Sequence, residues 1–580
     1  MPSSESTSAS ASPPPVPASA PVNSRSWLLR GLRIVASTTL LSRFLGMFRD
    51  IATARLFGVS PVMDAFAIAF RIPNLARRLF GEGALSASFL PVFAREWERG
   101  TDGRPWQLAS AVFSLLSIVL IVLVLLGELA IAVGTVWYGQ DPHTRLLLGL
   151  TAVMLPYALF ICLAAQVTAV LHALGEFAIP SLVPVVLNLC LLATIYFVDP
   201  LFEPHRDQQA YALAACVLVA GVFQLGLQWP ALRKRGFRFT LQWQEAREGV
   251  REIVRAVIPV TLGLSITQIN TLLDSVIAWI FSGSAKAANG INELIPWLSW
   301  LGNIRYPLEQ GAVSTLYYGE RLYQLPVGVF GIALGTVLLP LLSRHAARGD
   351  LAKLREDVGL SLRLALIIGV PASLGLMVMA LPITRLLFEH GSFVERDAQR
   401  TAAMIVAYGA AVWADCSIPL LYRAFYALGE RQVAVRIGIR IVLLDLLLNV
   451  SLIWPLAERG LAWSTAITAT VHVGFVVWLL QKRIGRLEWA VLLRTMAKVI
   501  AGTAAMTGVC LAVSHVLPEP RGLTSKIIGV AAPVMAGIVT YFAVAYLLKL
   551  DELWMLIRRE KSSAPASENA ALLNDDVVDD

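Results

Sequence analysis

The chain has 580 residues, of which 56% are hydrophobic and only 15% charged, and its mean hydropathy is +0.66. A soluble domain carries about a quarter charged residues, so the composition excludes a soluble enzyme and indicates a polytopic membrane protein. The net charge of +8 is therefore read loop by loop as an orientation signal, and no nucleic-acid partner is implied.

Residues 1–27 are rich in Ser, Pro and Ala and read as a disordered cytoplasmic tail. They lack the basic start and apolar core of a cleaved signal peptide. Fourteen apolar spans follow, at roughly 28–48, 62–94, 108–134, 146–172, 179–198, 208–230, 252–281, 312–343, 358–388, 399–427, 433–454, 460–480, 495–516 and 527–549. Each reaches the ~20 residues that a membrane-crossing helix needs. The loops at 231–251, 344–357 and 482–494 are basic, whereas 199–207 and 389–397 are mostly acidic. The positive-inside rule puts both termini and the even-numbered loops in the cytoplasm. Between spans 7 and 8, residues 283–311 form a periplasmic insertion in which Trp297 and Trp300 predict a short helix at the outer interface. Residues 551–580 are a polar cytoplasmic tail. The five cysteines are scattered through apolar runs without a CxxC, which argues against disulfides and metal sites.

The chain repeats itself. GALSASFLPVFAR (83–95) matches IALGTVLLPLLSR (332–344), HALGE (172–176) matches YALGE (426–430), Arg71 pairs with Arg321, and Asn188 falls near the counterpart of Asn449. The offset stays near 250 residues, and six spans separate the copies. The expected fold is all-α: an N-lobe (28–230) and a parallel C-lobe (252–481) of six helices each around a central cavity. A basic linker (231–251) joins the lobes, and helices 13 and 14 (482–550) stand outside the repeat.

The stretch RFLGMFRDIATARLFGVSPVMDAFAIAFRIPNLARRLFGE (43–82) is apolar yet heavily charged. An ionised side chain at mid-bilayer costs at least ~2.5–3.5 kcal/mol, so these residues should face a polar interior. Asp64, Arg71 and Arg78 recur every seven residues with Asn74 between them, which makes one polar stripe on a helix. Arg43 and Arg49 are six apart, about 240° around a straight helix, so a bend or break at Gly46 is expected to aim both at one cavity. Arg55 and Arg78 are equally suited to membrane ends, where they would reach lipid phosphates. No GxxxxGK[ST], HExxH or GxSxG occurs, which leaves a cationic path of Arg43, Arg49, Arg77 and Arg321. Converging guanidinium forks suit a diphosphate. Asp50, Asp64 and Glu82 would compensate them in the empty site, or serve as fixed structural partners. Asp274 lies in span 7. Asp445 and Asn449 share a face of span 11. These three are a candidate Na⁺ or H⁺ site, with an interhelical hydrogen-bond network as the alternative.

The runs SRFLGMFRDIATARLFG, DAF, RIPNLARRLFGEGALSASFLPV and YYGERLYQLPVGVFGIALGTVLLPLLS resemble the MurJ/MviN lipid II flippases, and the likeness extends from about 28 to 550. The resemblance implies the fold of the multidrug/oligosaccharidyl-lipid/polysaccharide exporter superfamily, and a transporter rather than an enzyme. The substrate it implies is lipid II, the undecaprenyl-diphosphate-linked disaccharide-pentapeptide, moved outward across the bacterial inner membrane for peptidoglycan synthesis. By motif position the family's cavity arginines fall on Arg43, Arg49, Arg77 and Arg321, and its acidic residues on Asp50, Asp64 and Glu82. Glu320 stands where the family usually has Asp. Some members hold Na⁺ between helices 7, 11 and 12, the helices of Asp274, Asp445 and Asn449. Membrane lipids and cell-wall synthesis proteins are the other implied partners. The rival readings are a polysaccharide-lipid flippase or a cation-coupled drug exporter of the same superfamily, and a polytopic enzyme acting on lipid carriers.

Overall fold

A computed structural model describes residues 25–100, 103–240, 244, 246–283, 294–295, 299–300, 303–328, 342, 344–346, 348–518, 522–550 and 552–553. The helices are α1 (Arg25–Phe57), α2 (Pro61–Ala76), α3 (Ala84–Glu98), α4 (Arg104–Tyr138), α5 (Pro142–Met154), α6 (Tyr157–Ala173), α7 (Ala178–Ser181), α8 (Val183–Ala193), α9 (Arg206–Lys234) and α10 (Arg247–Ile280). After the insertion come α11 (Ala312–Pro326), α12 (Leu351–Val378), α13 (Ala380–Leu387), α14 (Glu395–Gly409), α15 (Val412–Ala427), α16 (Arg431–Leu456), α17 (Glu458–Ile484), α18 (Trp489–Val516) and α19 (Leu523–Leu547).

Ten helical segments among the described residues are long and apolar enough to cross a membrane. They coincide with ten of the fourteen predicted spans. The other four predicted spans lie on α1, α2–α3, α10 and α11, and they carry Arg43, Arg49, Asp50, Arg71, Arg78, Gln268, Asn270, Asp274, Glu320 and Arg321. Helices that face only lipid or other apolar helices can be uniformly greasy, whereas a wall facing a polar interior cannot. The polar residues of these four segments are thus the candidates for the walls of the site.

Local chemistry explains the breaks. Ser60 caps α2, accepting from the Met63 N–H at 3.3 Å, and Pro61 follows at the first helical position, where its missing N–H is no loss. Asp141 caps α5 in the same way, accepting from the Thr144 N–H at 2.8 Å. The second predicted span is interrupted between α2 and α3 by a wider, π-type winding over Arg77–Gly83. Such windings re-aim the side chains they carry.

Within the N-terminal half α2 packs on α5, α6 on α9, and α1 and α9 on α8; within the C-terminal half α12 packs on α15, α16 on α17, α11 on α14, and α10 on α16. The pair α18–α19 packs on itself and on α12. The halves meet where α3 and α2 lie against α10 and where α2 lies against α11. Acyl chains are as apolar as leucine, so association between such helices rests on close packing and on hydrogen bonds across them.

One expectation is corrected, at Gly46. The described residues bear out the all-α expectation, with one small addition: a two-residue β1 (Ser282–Gly283) pairs in parallel with β2 (Leu308–Glu309) and pins the ends of the insertion. Helix α1 does not break at Gly46, which sits inside one uninterrupted helix and faces the amide of Asn188 at 3.7 Å from a built β-carbon. Of the expected outer-interface helix, Trp297 lies outside the described residues, and Trp300 is described and exposed. Of the predicted tails (1–27 and 551–580), residues 25–27 are described as the start of α1 and 552–553 as helical, and the rest lie outside the described residues, as does the repeat copy at 332–344 apart from Leu342 and Arg344.

Candidate functional site

The site is built where the two halves touch. On α1, Asp50 is 4% exposed. Its Oδ1 accepts from Arg49 Nη2 at 2.7 Å and Nε at 3.1 Å, and from the Tyr317 hydroxyl at 3.1 Å. From α11, Arg321 Nε approaches Asp50 Oδ2 at 3.6 Å, and its Nη2 donates to the Tyr317 hydroxyl at 3.3 Å. The Arg321 guanidinium also stands 4.8 Å from the centre of the Tyr317 ring. Arg49 Nη1 donates to Asn188 Oδ1 at 3.0 Å, and Asn188 is held in turn by its Nδ2 donating to the Ser42 carbonyl at 3.1 Å. Two guanidiniums thus share one carboxylate, leaving an excess positive charge in a poorly solvated setting. An anion entering beside them would find fork-shaped donors already oriented.

The stripe that runs from α2 into the π-type winding reaches the other half through Asp64, Arg71 and Arg78. Arg71 Nη2 donates to Glu320 Oε2 at 2.6 Å, and its Nη1 to the main-chain carbonyl of Thr271 at 2.9 Å. Arg78 Nη1 donates to Gln268 Oε1 at 2.5 Å. Asp64, 2% exposed, accepts from the N–H groups of Gly311 at 2.7 Å and Ser314 at 2.6 Å, and from the Ser314 hydroxyl. It therefore satisfies the free N–H groups at the start of α11, where a negative charge is also favoured by the helix dipole. A small open cleft lies between these elements, lined among others by Arg71, Asn74, Arg78, Tyr317, Glu320 and Arg321.

Of the four arginines expected to converge, Arg49 and Arg321 meet at Asp50. Arg43 crosses from α1 to the continuation of α11, with its Nη1 2.7 Å from a β-carbon built on Gly328. Arg77 reaches the cleft through Asn74, whose Oδ1 accepts from its Nε at 2.9 Å. Arg78 lines the cleft itself. The described hydrogen bonds of Asp64 go to a helix terminus rather than to an arginine. The side chain of Glu82 lies outside the described residues. Tyr317, Gln268 and Thr271 were not singled out from the sequence. For Tyr317 a signal existed, because it stands four residues before Arg321 on the same helical face.

At the end that holds the α1–α2 turn, the halves are clasped. The Ser392 N–H donates to the Arg55 carbonyl at 2.9 Å, and Arg206 donates to the Leu56 carbonyl at 3.0 Å and to Ser392 Oγ at 2.8 Å. Gly58 adopts φ +61°, and a β-carbon on it would lie 2.4 Å from the Ser392 carbonyl oxygen. Gly58→Ala adds a left-handed penalty of about 1–2 kcal/mol to that clash. It should raise the rate at which a cysteine replacing the fully buried Ala312 is labelled; an unchanged rate would show that the clasp does not govern access.

The other polar group also assembles. Asn449 Nδ2 donates to Asp274 Oδ1 at 2.7 Å and to Asp445 Oδ2 at 3.0 Å, and Asn270 Nδ2 donates to Asp445 Oδ2 at 2.9 Å. Ser464 on α17 bonds Asn449 Oδ1, and Thr468 adjoins Asp445. Asp445 is fully buried, and its Oδ1 makes no hydrogen bond of ordinary geometry among the described residues. Two carboxylates beside neutral side-chain oxygens, with Asp445 Oδ1 left over, are a donor set that could hold a monovalent cation or a proton, or form an interhelical hydrogen-bond network.

Comparison with known proteins bears on the whole chain. Residues 53–530 match the family model of the lipid II flippase MurJ. The chain is 31% identical to a probable lipid II flippase MurJ of Bdellovibrio bacteriovorus, over 93% of this chain and 98% of that protein. It is also 31% identical to the lipid II flippase MurJ of Burkholderia cenocepacia, over 79% of this chain and 84% of that one. Among solved structures, a lipid II flippase MurJ in an inward closed conformation superposes with a TM-score of 0.69 at 20% identity, covering 90% of this chain and 99% of that one. An inward-facing multidrug resistance MATE family transporter of the MOP superfamily gives 0.60 at 15% identity, covering 76% and 94%. These two share the fold. With more than half of its length matched to one family of transporters, the chain belongs to the lipid II flippase MurJ family.

Proposed function

We propose that this protein carries lipid II from the cytoplasmic to the periplasmic leaflet of the bacterial inner membrane by alternating access. The observation that carries the reading is the shared Asp50: two arginines from opposite halves are held on one buried carboxylate beside a cleft that adds Arg71 and Arg78. A diphosphate can displace Asp50 as the common partner of both, so binding would be felt by both halves at once. The N-lobe (28–230) and C-lobe (252–481) then rock about the cleft, with both termini in the cytoplasm as the basic loops favour. The clasp around Gly58 and Ser392 is the periplasmic gate in this orientation. The prenyl tail stays in lipid beside α18 and α19, whose outer faces are apolar, with Leu493, Ile500, Met535 and Val539 exposed.

An inside-negative potential favours anion export by ~2.3 kcal/mol per charge per 100 mV, so voltage contributes without nucleotide hydrolysis. The second source is a cation, Na⁺ or H⁺, at Asp274, Asp445 and Asn449. When bound there, the cation supplies the charge that lets the carboxylates stay together, and Asn449 and Ser464 orient them. Asn449→Ala should remove any Na⁺ dependence of transport while leaving voltage dependence in place. A drug exporter for cations would need an acidic cleft, and this one has three arginines to one glutamate among its lining residues. Proteins of cell-wall synthesis are the partners such a carrier would serve. The deciding experiment is translocation of lipid II in proteoliposomes with voltage and Na⁺ varied separately; failure to move lipid II under any combination sinks the proposal.

A further inference from the structure

Resting on the reading just given, we infer that Arg71 is the coupling residue between the anion cleft and the cation site, because one guanidinium joins the cleft, α11 and the turn of α10 that carries Asp274.

Three observations lead there. Arg71 lines the cleft, so an anion can reach it. It spends one arm of its fork on Glu320 of α11 at 2.6 Å, and Glu320 is steadied by Gln324 Nε2 donating to its Oε1 at 2.7 Å. The other arm goes to the Thr271 carbonyl at 2.9 Å. A helix carbonyl already serves a partner four residues on, and the Ser275 hydroxyl also bonds this one, at 3.2 Å. Arg71 thus clamps a fully formed turn of α10 from outside. Within that turn stand Asn270, which donates to Asp445, and Asp274, which accepts from Asn449. Both charges of the Arg71–Glu320 pair also act electrostatically on Asp274.

A diphosphate in the cleft competes with Glu320 for the guanidinium. As it takes the guanidinium over, Glu320 loses its counter-charge and its negative charge is left facing the carboxylate pair, while the clamp on Thr271 is withdrawn. The carboxylates then hold a cation more tightly, so anion and cation bind cooperatively. Linkage makes the effect reciprocal: each ligand raises the affinity of the other by one common factor. Arg49 and Arg321 cannot do this, since they converge on Asp50 of α1 and touch no residue of the cation group among the described contacts.

The test uses the purified full chain. Na⁺ affinity is measured by isothermal titration, without and with saturating geranyl diphosphate, and the ratio of the two is the coupling factor. The unaltered chain should show a factor of roughly five or more. In Arg71→Gln and in Glu320→Gln the factor should fall to near one, with Na⁺ binding itself retained. The double variant should lose no more than either single one, because the pair acts as a unit. Monodispersity and melting temperature identify variants that remain folded, and a loss of folding in one leaves the other to decide. A folded variant that keeps the wild-type factor overturns the coupling while the carrier reading stands. Absence of Na⁺ binding to the unaltered chain overturns the cation reading, and this inference with it.

Discussion

Replacing Arg321 with alanine is expected to reduce lipid II translocation by at least ~100-fold. Hydrogen bonds to charged groups are worth about 1.5–3 kcal/mol each, and the guanidinium offers two to a diphosphate in one fork, so losing the pair removes about 3 kcal/mol or more. The variant should still reach the membrane, because Asp50 keeps Arg49 and Tyr317 as partners. Arg49→Ala should act alike, for the same reason from the other half. Arg321→Lys is informative beside them: it keeps the charge but not the planar fork, and should recover only part of the activity. Complementation of a flippase-depleted strain, with membrane protein levels measured alongside, checks the direction. Full rescue by Arg321→Ala and Arg49→Ala would remove the site from the mechanism.

The second large effect concerns Asp64. Its carboxylate holds two main-chain N–H groups and a hydroxyl at the start of α11, at the clasped end of the molecule. A buried donor stripped of its partner costs ~1–3 kcal/mol. Asp64→Ala strips two such donors, and so should disfavour the clasped state by ~2–6 kcal/mol. Asp64→Asn keeps one oxygen acceptor but loses the charge, and should cost about 1.5–3 kcal/mol, a shift of roughly ten-fold to a hundred-fold in the clasped-to-open ratio. The readout is the labelling rate of a cysteine at Ala312 by a membrane-impermeant thiol reagent. A rate that does not move in Asp64→Asn would mean that this carboxylate is not what keeps the end shut. Transport should fall in the same variant, since a carrier that cannot close one side cannot alternate.

Much of this was legible in the sequence, because membrane helices announce themselves by length and greasiness and a polar stripe within one is conspicuous. Asp64, Arg71 and Arg78 do share a face, and Asp274, Asp445 and Asn449 do come together. What each stripe residue binds was not legible. The Asp64 partners lie 247 and 250 residues away and the Arg49–Asn188 contact spans 139, so their identity is a property of how helices pack and not of any local pattern. Gly46 shows the reverse error: a glycine between two arginines suggested a break, yet the surrounding helix is long and packed on α8, and one residue's lost propensity of about 1 kcal/mol does not interrupt it. The strands that pin the insertion are two residues each, too short for any alternation of side chains to register.

The partnerships on α2 have one more implication. Asp64 meets Ser314 at a separation of 250 residues, and Arg71 meets Glu320 at 249, the same spacing at which the sequence echoes itself. Two identical subunits related by a dyad would place each residue near that axis opposite its own twin, so an arginine there would face an arginine and repel it. Joining the copies in a single polypeptide frees the facing positions to differ in sign. The molecule could therefore not be rebuilt as a homodimer of either half without setting like charges against each other at the centre of its working surface.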